Sequence, residues 1–408
     1  MTYIGNLGGL LMGNQKYEIA IVGGCGHVGL PLGLVLADCG HNVQAFDIDV
    51  EKVQQVNAGK MPFRELGAES ILVKVLEQGN FIATNAVEVI KKAQIVIVVI
   101  GTPVDEHLSP NPNTVIDEII KFKELLNSDQ LLLLRSTVYP GVTRKLDQKL
   151  QTLIPGISVA FTPERIIEGQ AIKEIKTLPQ IIGTDSIEVY EKTSNFFESL
   201  SVKTIHVSPE EAELAKLFTN VWRYIKFAIA NQFWMISNNL GVDYENVRHA
   251  IAFEYPRAAD LPSAGFTAGP CLFKDTMQLS ALLQQNFPLG NAAMMINEGM
   301  PNYLVARLSE AYDLEKLKVG ILGMAFKAEV DDVRSSLAFK LRKLLNFKAM
   351  QVLVTDPYVV NTDFSNLEVV LRESDLLVIA APHEEYRSIR TNKPIIDIWG
   401  FLGNRAKI

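Results

Sequence analysis

The stretch Tyr17-Glu-Ile-Ala-Ile-Val-Gly23-Gly24-Cys25-Gly26-His27-Val28-Gly29 decides the fold. A short apolar run passes straight into glycine, the pattern of a strand buried on both faces in a parallel sheet. An apolar-periodic segment follows to about Asp38 and reads as a helix, and the next apolar run, Asn42–Phe46, ends at Asp47. Strand, glycine loop, helix, strand and acid thus occur in the order that a dinucleotide requires. Gly24 is expected to permit the tight turn, Gly26 to let backbone N–H groups approach a pyrophosphate, and Gly29 to allow close helix–strand packing. Asp47 lies eighteen residues after Gly29. A carboxylate there can bind an adenosine ribose and would repel a 2′-phosphate, which favours NAD over NADP. Cys25 and His27 read as packing within the loop. A purely structural glycine turn competes with this reading, but the strand, helix and acid around the loop weigh against it.

The α/β rhythm continues outward. The apolar run Gln94–Ile100 ends in Gly101-Thr102-Pro103, Gln130–Leu134 ends in Arg135-Ser136-Thr137, and Val159–Phe161 ends in Thr162-Pro163-Glu164-Arg165. Taken singly, Thr102, Thr137 and Glu164 read as helix caps or turn residues. Their shared place, just past the carboxyl ends of strands, is where open α/β sheets bind ligands.

Ser208-Pro209-Glu210 then opens a long helix running to about Leu240, with a Ser cap, Pro at the first helical position and acids in the first turn. Lys216 and Asn220, four apart, share a face. Glu213 leaves a solvated Glu–Lys pair open as the simpler account of Lys216. Asn220, set among Leu217, Phe218, Val221 and Trp222, calls for a ligand contact. The continuation Phe227–Ile236 is apolar nearly all round and is expected to be buried between domains or subunits. Farther on, Gly265-Phe266-Thr-Ala-Gly269-Pro270-Cys271-Leu-Phe-Lys274-Asp275-Thr holds one of three cysteines. By themselves these residues fit a reactive thiol and an ordinary turn cysteine equally.

A second strand–glycine start, Lys318–Gly323, lacks the full fingerprint but is followed by Lys327 and Arg334. These cations suit a different phosphate-bearing ligand, the alternative being two surface charges. Strands at Met350–Thr355, Asp375–Ala381 and Pro394–Ile398 complete a smaller α/β domain. The expected fold class is α/β: two Rossmann-like doubly wound domains joined by a long central helix and a helical middle region. The expected division is an extension at 1–16, a dinucleotide-binding domain at 17–205, a helical and dimerisation domain carrying Cys271 at 206–312, and a second Rossmann-like domain at 313–408.

Composition limits the rest. In 408 residues, 48% hydrophobic and 21% charged with net charge −7, there is room for two or three cores and no basic face for nucleic acid. No apolar run reaches the roughly 18 residues of a membrane helix, and the amino end lacks the pattern of a signal peptide. Three cysteines cannot build a disulfide framework, so a reducing, cytoplasmic setting is expected. Six scattered histidines offer no metal-ligand spacing.

From Ile19 to Trp399 the chain resembles the UDP-glucose/GDP-mannose dehydrogenase family. The resemblance rests on Gly24-x-Gly26-x-x-Gly29, Gly101-Thr-Pro103, Ser136-Thr137-Val-x-Pro140-Gly141 and Pro163-Glu164-Arg165. It continues through Glu213-Leu-Ala-Lys216-x-x-x-Asn220, Gly269-Pro-Cys271-Leu-Phe-Lys274-Asp275-Thr, Gly323-Met-Ala-Phe-Lys327 and Asp332-Val-Arg334-x-Ser336. It implies an NAD-dependent four-electron oxidation of a sugar C6 alcohol to a carboxylate, with Cys271 as covalent nucleophile. Lys216 and Asn220 would stabilise an oxyanion, and Asp275, Thr137 and Glu164 would handle water and protons. NAD contacts would fall on Gly24, Gly26, His27, Val28, Gly29, Asp47, Lys52, Thr102 and Thr137. Contacts to a UDP-sugar would fall on Glu164, Arg165, Lys216, Asn220, Arg223, Arg257, Gly265, Phe266, Lys327 and Arg334, with Arg257 reaching across a homodimer. Pro163-Glu164-Arg165 and Asn220-x-x-Arg223 look like the UDP-N-acetylhexosamine branch, Phe273-Lys274-Asp275-Thr like the UDP-glucose branch, and we lean to the first. Pro270, directly before Cys271, departs from the family's usual serine or histidine. Outside this reading stand a two-electron hydroxyacid or alcohol dehydrogenase, which would ignore Cys271, and an inactive nucleotide-sugar binding protein.

Overall fold

Short, mostly apolar runs build the first sheet, and the four from Ile95–Val98 to Gln180–Gly183 are buried throughout. β1 (Glu18–Val22), β2 (Asn42–Phe46), β3 (Phe81–Thr84), β4 (Ile95–Val98), β5 (Leu131–Leu134), β6 (Ser158–Phe161), β7 (Gln180–Gly183) and β8 (Thr204–Val207) lie in the order β3-β2-β1-β4-β5-β6-β7-β8. Ile-Val-Ile-Val in β4 and four leucines in β5 are buried throughout, as strands covered on both faces must be. All pairings are parallel except β6 with β7. In register, Ile19 faces Val43 on one side and Ile95 on the other, so the order reverses at β1 and β4. That reversal is where a crevice opens at the carboxyl ends of the strands.

The second sheet has four parallel strands, β9 (Lys318–Leu322), β10 (Gln351–Thr355), β11 (Leu376–Ile379) and β12 (Ile395–Asp397), in the order β10-β9-β11-β12. Its own reversal lies between β9 and β11. Both sheets are therefore Rossmann-like, as expected. This computed structural model describes residues 15–102, 113–284 and 286–403. Most of the expected extension at 1–16, and Pro103, lie outside the described residues. The chain divides into two compact units, one ending at Glu213 and the other running from Leu214 onward with Thr102 grouped to it.

The helix Pro209–Asn239 carries the chain from one unit into the next. Its start is a capping box: Ser208 N and Oγ both donate to Glu211 Oε2 at 2.8 Å, and Glu211 N donates to Ser208 Oγ at 3.4 Å. The stretch Phe227–Ile236, expected to be buried between domains or subunits, is not enclosed within the single chain. Phe218, Trp222, Ile229, Phe233 and Ile236 are exposed along one side, whereas Val221, Tyr224, Ile225 and Ala228 pack inward with Leu272, Leu279 and Ala293. Apolar composition on every side reported a second apolar face, not a single enclosing core. Among the described residues no helix is long and apolar enough to cross a membrane.

Candidate active site

In the first unit each glycine of the loop after β1 has its own physical reason. Gly23, not Gly24, is the left-handed residue of the turn, with φ +83°, and a Cβ there would lie 2.2 Å from Val99 O. A Cβ at Gly24 would strike Ala45 at 2.6 Å, and one at Gly29 would meet Gly23 O at 2.3 Å. Gly26 differs: its nearest neighbour would be an ordinary 3.5 Å away, so the protein does not itself require glycine there. The space over Gly26 serves whatever approaches from outside, which is the part foreseen for the middle glycine. Val28 is the N-cap of the helix Gly29–Asp38, whose first N–H groups face the same loop. Asp47 Oδ2 accepts from Cys25 N at 2.9 Å and Oδ1 from Asp49 N at 3.1 Å, leaving acceptor capacity for ribose hydroxyls. Open glycine, helix N-terminus and acid together fit a dinucleotide. His27 stacks on Phe63 with ring centroids 4.0 Å apart and sets Nδ1 3.2 Å from Glu168 Oε1. Lys52 is exposed and pairs with Asp49 at 3.3 Å. Burial pushes the Cys25 thiol up to about 12, which keeps it a packing residue.

The polar strand ends are organised by buried charge. Glu164 is ion-paired with Arg135, and its Oε1 accepts from the N–H groups of Arg165 at 2.7 Å and Ile166 at 3.0 Å. Burial works against its negative charge, but Arg135 and the two amides outweigh burial and hold the carboxyl below its usual range. Arg135 NH1 also donates to Gln180 Oε1 at 2.9 Å, and the Arg165 guanidinium donates to Pro179 O. Glu164 thus pins the turn after β6, with about one of its four acceptor sites left over. Thr137 is half-buried, and its hydroxyl makes no hydrogen bond to a described residue. Glu213 overturns the solvated-pair reading. It is fully buried and accepts from Gly141 N at 2.6 Å and Thr143 N at 2.8 Å, capping the helix Val142–Leu153 instead of pairing with Lys216. Burial raises its carboxyl despite those two bonds.

In the second unit the structure gathers Cys271, Lys216, Asn220 and Asp275. Cys271 is exposed at the N-cap of the helix Leu272–Leu282, and Pro270 before it needs no N–H for that helix. One turn in, Asp275 has a buried side chain. Its Oδ2 accepts from Asn220 Nδ2 at 2.5 Å, while Oδ1 makes no hydrogen bond and lies 3.6 Å from Lys274 Nζ. Asn220 keeps its second amide N–H. Lys216 is buried and makes no hydrogen bond or ion pair to any described residue. A buried ammonium without a fixed partner is costly unless a ligand or reacting group completes it. Lys274 Nζ donates to Thr102 Oγ1 at 3.0 Å and to Thr102 O at 3.2 Å.

Opposing influences act on the Cys271 thiol. Its crowded surroundings push it up, and Asp275 adds to that; Lys216, Lys274 and Arg334 pull the other way without prevailing. The positive neighbours expected of a reactive thiol are present, and desolvation by the surrounding protein together with Asp275 works against them.

The loop before Cys271 is held by residues that the motifs did not reveal. Gly265 N donates to Asn231 Oδ1 at 2.9 Å, Asn231 donates to Asn297 Oδ1 at 2.9 Å, and Asn297 donates to Tyr224 O at 3.0 Å. Gly265 lies against Trp399 and Gly269, at φ +106°, against Phe326; a Cβ at either would enter the ring at 2.2 Å or 2.8 Å. Phe266 is buried among Met300, Leu304 and Met324. Lys327 sits over Phe326, 5.7 Å from the ring centre. Arg334 forms a fork with Asp332, with contacts of 2.6–3.0 Å. Arg223 is half-buried on the long helix, and Arg257 is exposed and stacked on Tyr255 at 4.9 Å. Asn231, Asn297, Phe326 and Trp399 sit far along the chain from the loop that they hold, so no local pattern marks them.

Comparison with known proteins agrees with this geometry. Models of the UDP-glucose/GDP-mannose dehydrogenase family match in sequence order: the NAD binding domain over residues 17–201, the central domain over 210–299 and the UDP binding domain over 320–404. A UDP-N-acetyl-D-mannosamine dehydrogenase of Pyrococcus horikoshii is 31% identical over 389 residues, 91% of each chain. Among solved structures, a UDP-glucose dehydrogenase from Pyrobaculum islandicum superposes with TM-score 0.88 at 25% identity, covering 97% of this chain and 98% of that one. A UDP-D-ManNAc dehydrogenase from Pyrococcus horikoshii gives 0.83 at 29% identity, covering 91% of both. With all three domains matched and NAD as its cofactor, the chain belongs to the UDP-glucose/GDP-mannose dehydrogenase family.

Proposed function

We propose that this protein oxidises the C6 alcohol of UDP-N-acetylmannosamine, or a close UDP-N-acetylhexosamine, to the carboxylate through a covalent bond to Cys271. The observation that carries the reading is Lys216, a buried ammonium with no hydrogen-bond or ion-pair partner among the described residues, whose charge favours the Cys271 thiolate. NAD, when bound over Gly24–Gly29 and Asp47, supplies the hydride acceptor for each of two oxidations. In the first, the alcohol loses a hydride and a proton and becomes an aldehyde. The Cys271 sulfur then adds to the aldehyde carbon, and its own proton leaves. Because desolvation by the surrounding protein holds the thiol up, a base must take that proton, and Asp275, whose Oδ1 makes no hydrogen bond to a described residue and whose charge acts on the thiol, is the candidate. Lys216 and the spare N–H of Asn220 hold the resulting oxyanion, each donor contributing about 3–4 kcal/mol. Loss of a second hydride from this oxyanion leaves a thioester. Water activated by Asp275 cleaves it to acid and free thiol, and the resemblance to the family adds Thr137 and Glu164 as further groups that handle water and protons.

Lys327, Arg334, Arg165 and Arg223 would receive the diphosphate and sugar, alongside Gly265 and Phe266. The names of the relatives support the N-acetylmannosamine branch, although the Pyrobaculum islandicum protein is named for UDP-glucose. The exposed apolar side of the long helix, Phe218 to Ile236, supports a homodimer packed on that face, with Arg257 offered to the partner's site. Light scattering that gives one chain's mass would contradict the dimer. Three free cysteines agree with a reducing compartment. The test of the reaction is stoichiometry across UDP-N-acetylmannosamine, UDP-N-acetylglucosamine, UDP-glucose and GDP-mannose. Two NADH per sugar and an acid by mass spectrometry are expected for the first. One NADH per sugar, or none with any of them, would sink the reading.

A further inference from the structure

Beyond the reacting centre lies a buried imidazole to which the reaction assigns no part. We propose that His383 is a positioning residue: it clamps the turn 324–329 at both ends, so that a nucleoside diphosphate meets Phe326 and Lys327 in one fixed arrangement. The proposal rests on the nucleotide-sugar reading above for its ligand, though not for the clamp itself.

His383 is fully buried. Glu329 N donates to its Nδ1 at 3.0 Å, and a backbone N–H can only donate, so Nδ1 carries a lone pair. The proton of the neutral ring is therefore on Nε2, which donates to Asp356 Oδ2 at 3.2 Å. That oxygen also accepts from Met324 N at 2.6 Å and Ala325 N at 2.9 Å. One ring thus ties the first residues of the turn, through Asp356, to its last residue, directly. The turn is strained where the ring holds it, since Glu329 has φ +62°. The Glu329 carboxylate closes the circuit by accepting from Glu384 N at 2.8 Å and Tyr358 OH at 3.0 Å. The edges of Tyr358 and Tyr386 wall the imidazole at 5.1 Å and 5.6 Å.

Between the two anchors stand Phe326 and Lys327. The Phe326 ring fills the space beside Gly269, two residues before Cys271, so a shift of the turn shifts the wall of the cysteine loop. A buried imidazole is costly unless both nitrogens are used. Here each nitrogen is spent on the same turn.

The test uses the full chain and the variants His383→Ala, His383→Gln and His383→Asn, with UDP as the probe. Backbone hydrogen exchange over 323–330 should rise in all three. His383→Gln, which can still donate to Asp356, should spare the start of the turn. His383→Asn, which can still accept from Glu329 N, should spare its end. The UDP dissociation constant should rise about tenfold for alanine and less for the two amides, with NAD binding unchanged. Unchanged exchange overturns the clamp. Raised exchange with unchanged UDP affinity overturns the positioning role and leaves His383 purely structural. If the wild-type chain fails to bind UDP while exchange behaves as described, the clamp stands, and the nucleotide reading fails together with the ligand half of this proposal.

Discussion

The two sheets end their second strand in the same residue type and use it in opposite ways. Asp47 after β2 and Asp356 after β10 each face a glycine turn whose first residue is left-handed, Gly23 at φ +83° and Gly323 at φ +90°. Asp47 is half-buried and accepts two backbone bonds, from Cys25 and Asp49. Asp356 has a fully buried side chain that accepts from Met324, Ala325, Tyr358, Val359 and His383. In the first unit the helix starts at Gly29, at once presenting its N–H groups; in the second no helix starts until Leu337. Strand order alone therefore does not define a nucleotide site. One acid keeps acceptor capacity, the other is spent on holding a turn, and in the proposed function a ligand at the second sheet is met by side chains such as Lys327 and Arg334.

The largest effect that could break this contrast comes from removing each acid. Asp356→Ala leaves five donors without their acceptor and should cost on the order of 3–5 kcal/mol in urea unfolding, with the KM for NAD unchanged. Asp47→Ala should do the reverse, raising the KM for NAD about tenfold or more with little loss of stability. If both variants hurt NAD binding equally, the contrast is wrong. A finer division lies within the first loop. Gly26→Ala should weaken NAD binding while the fold melts normally, whereas Gly29→Ala should lower the melting temperature first, because its Cβ meets Gly23 O at 2.3 Å.

Acid should also separate the units. Burial opposes the charge on Asp356, but His383 and the amides of Tyr358 and Ala325 pull its carboxyl down to about 2. A depressed carboxyl stabilises the fold above its unfolded value near 3.8 and loses that contribution as pH falls towards 2. Second-unit peptides should lose exchange protection over that window, and Asp356→Ala should abolish the dependence. The smallest effect concerns Cys271. Its thiol is raised by burial and by Asp275, so alkylation by iodoacetamide should still be climbing above pH 9. Asp275→Asn should speed alkylation at a given pH even as it slows turnover; slower alkylation would mean that Asp275 does not face the sulfur.

Much of this was legible in the chain, for identifiable reasons. Strands such as Ile95–Val98 and Leu131–Leu134 are runs that only a doubly covered sheet tolerates, and Gly24, Gly26, Gly29 and Asp47 are close in sequence because one turn and one strand pair them. The Lys216/Asn220 face followed from helical spacing; a ligand contact was expected of Asn220, and the structure adds its hydrogen bond to Asp275. What stayed hidden depends on distant contacts. Glu213 looked like the partner of Lys216 until the amides of Gly141 and Thr143, some seventy residues earlier, were found to hold it. The role of Gly265 is set by Trp399 and Asn231, and the thiol's direction of shift by desolvation and charges brought from other elements. No period or motif encodes such contacts.

The covalent scheme stands or falls on counting reduced cofactor in Cys271→Ala. With UDP-N-acetylmannosamine and excess NAD, the wild-type protein should yield two NADH per sugar and the acid. The variant, folded and still binding both ligands, should stop at no more than one NADH and form no acid. A variant that completes both oxidations would contradict the account.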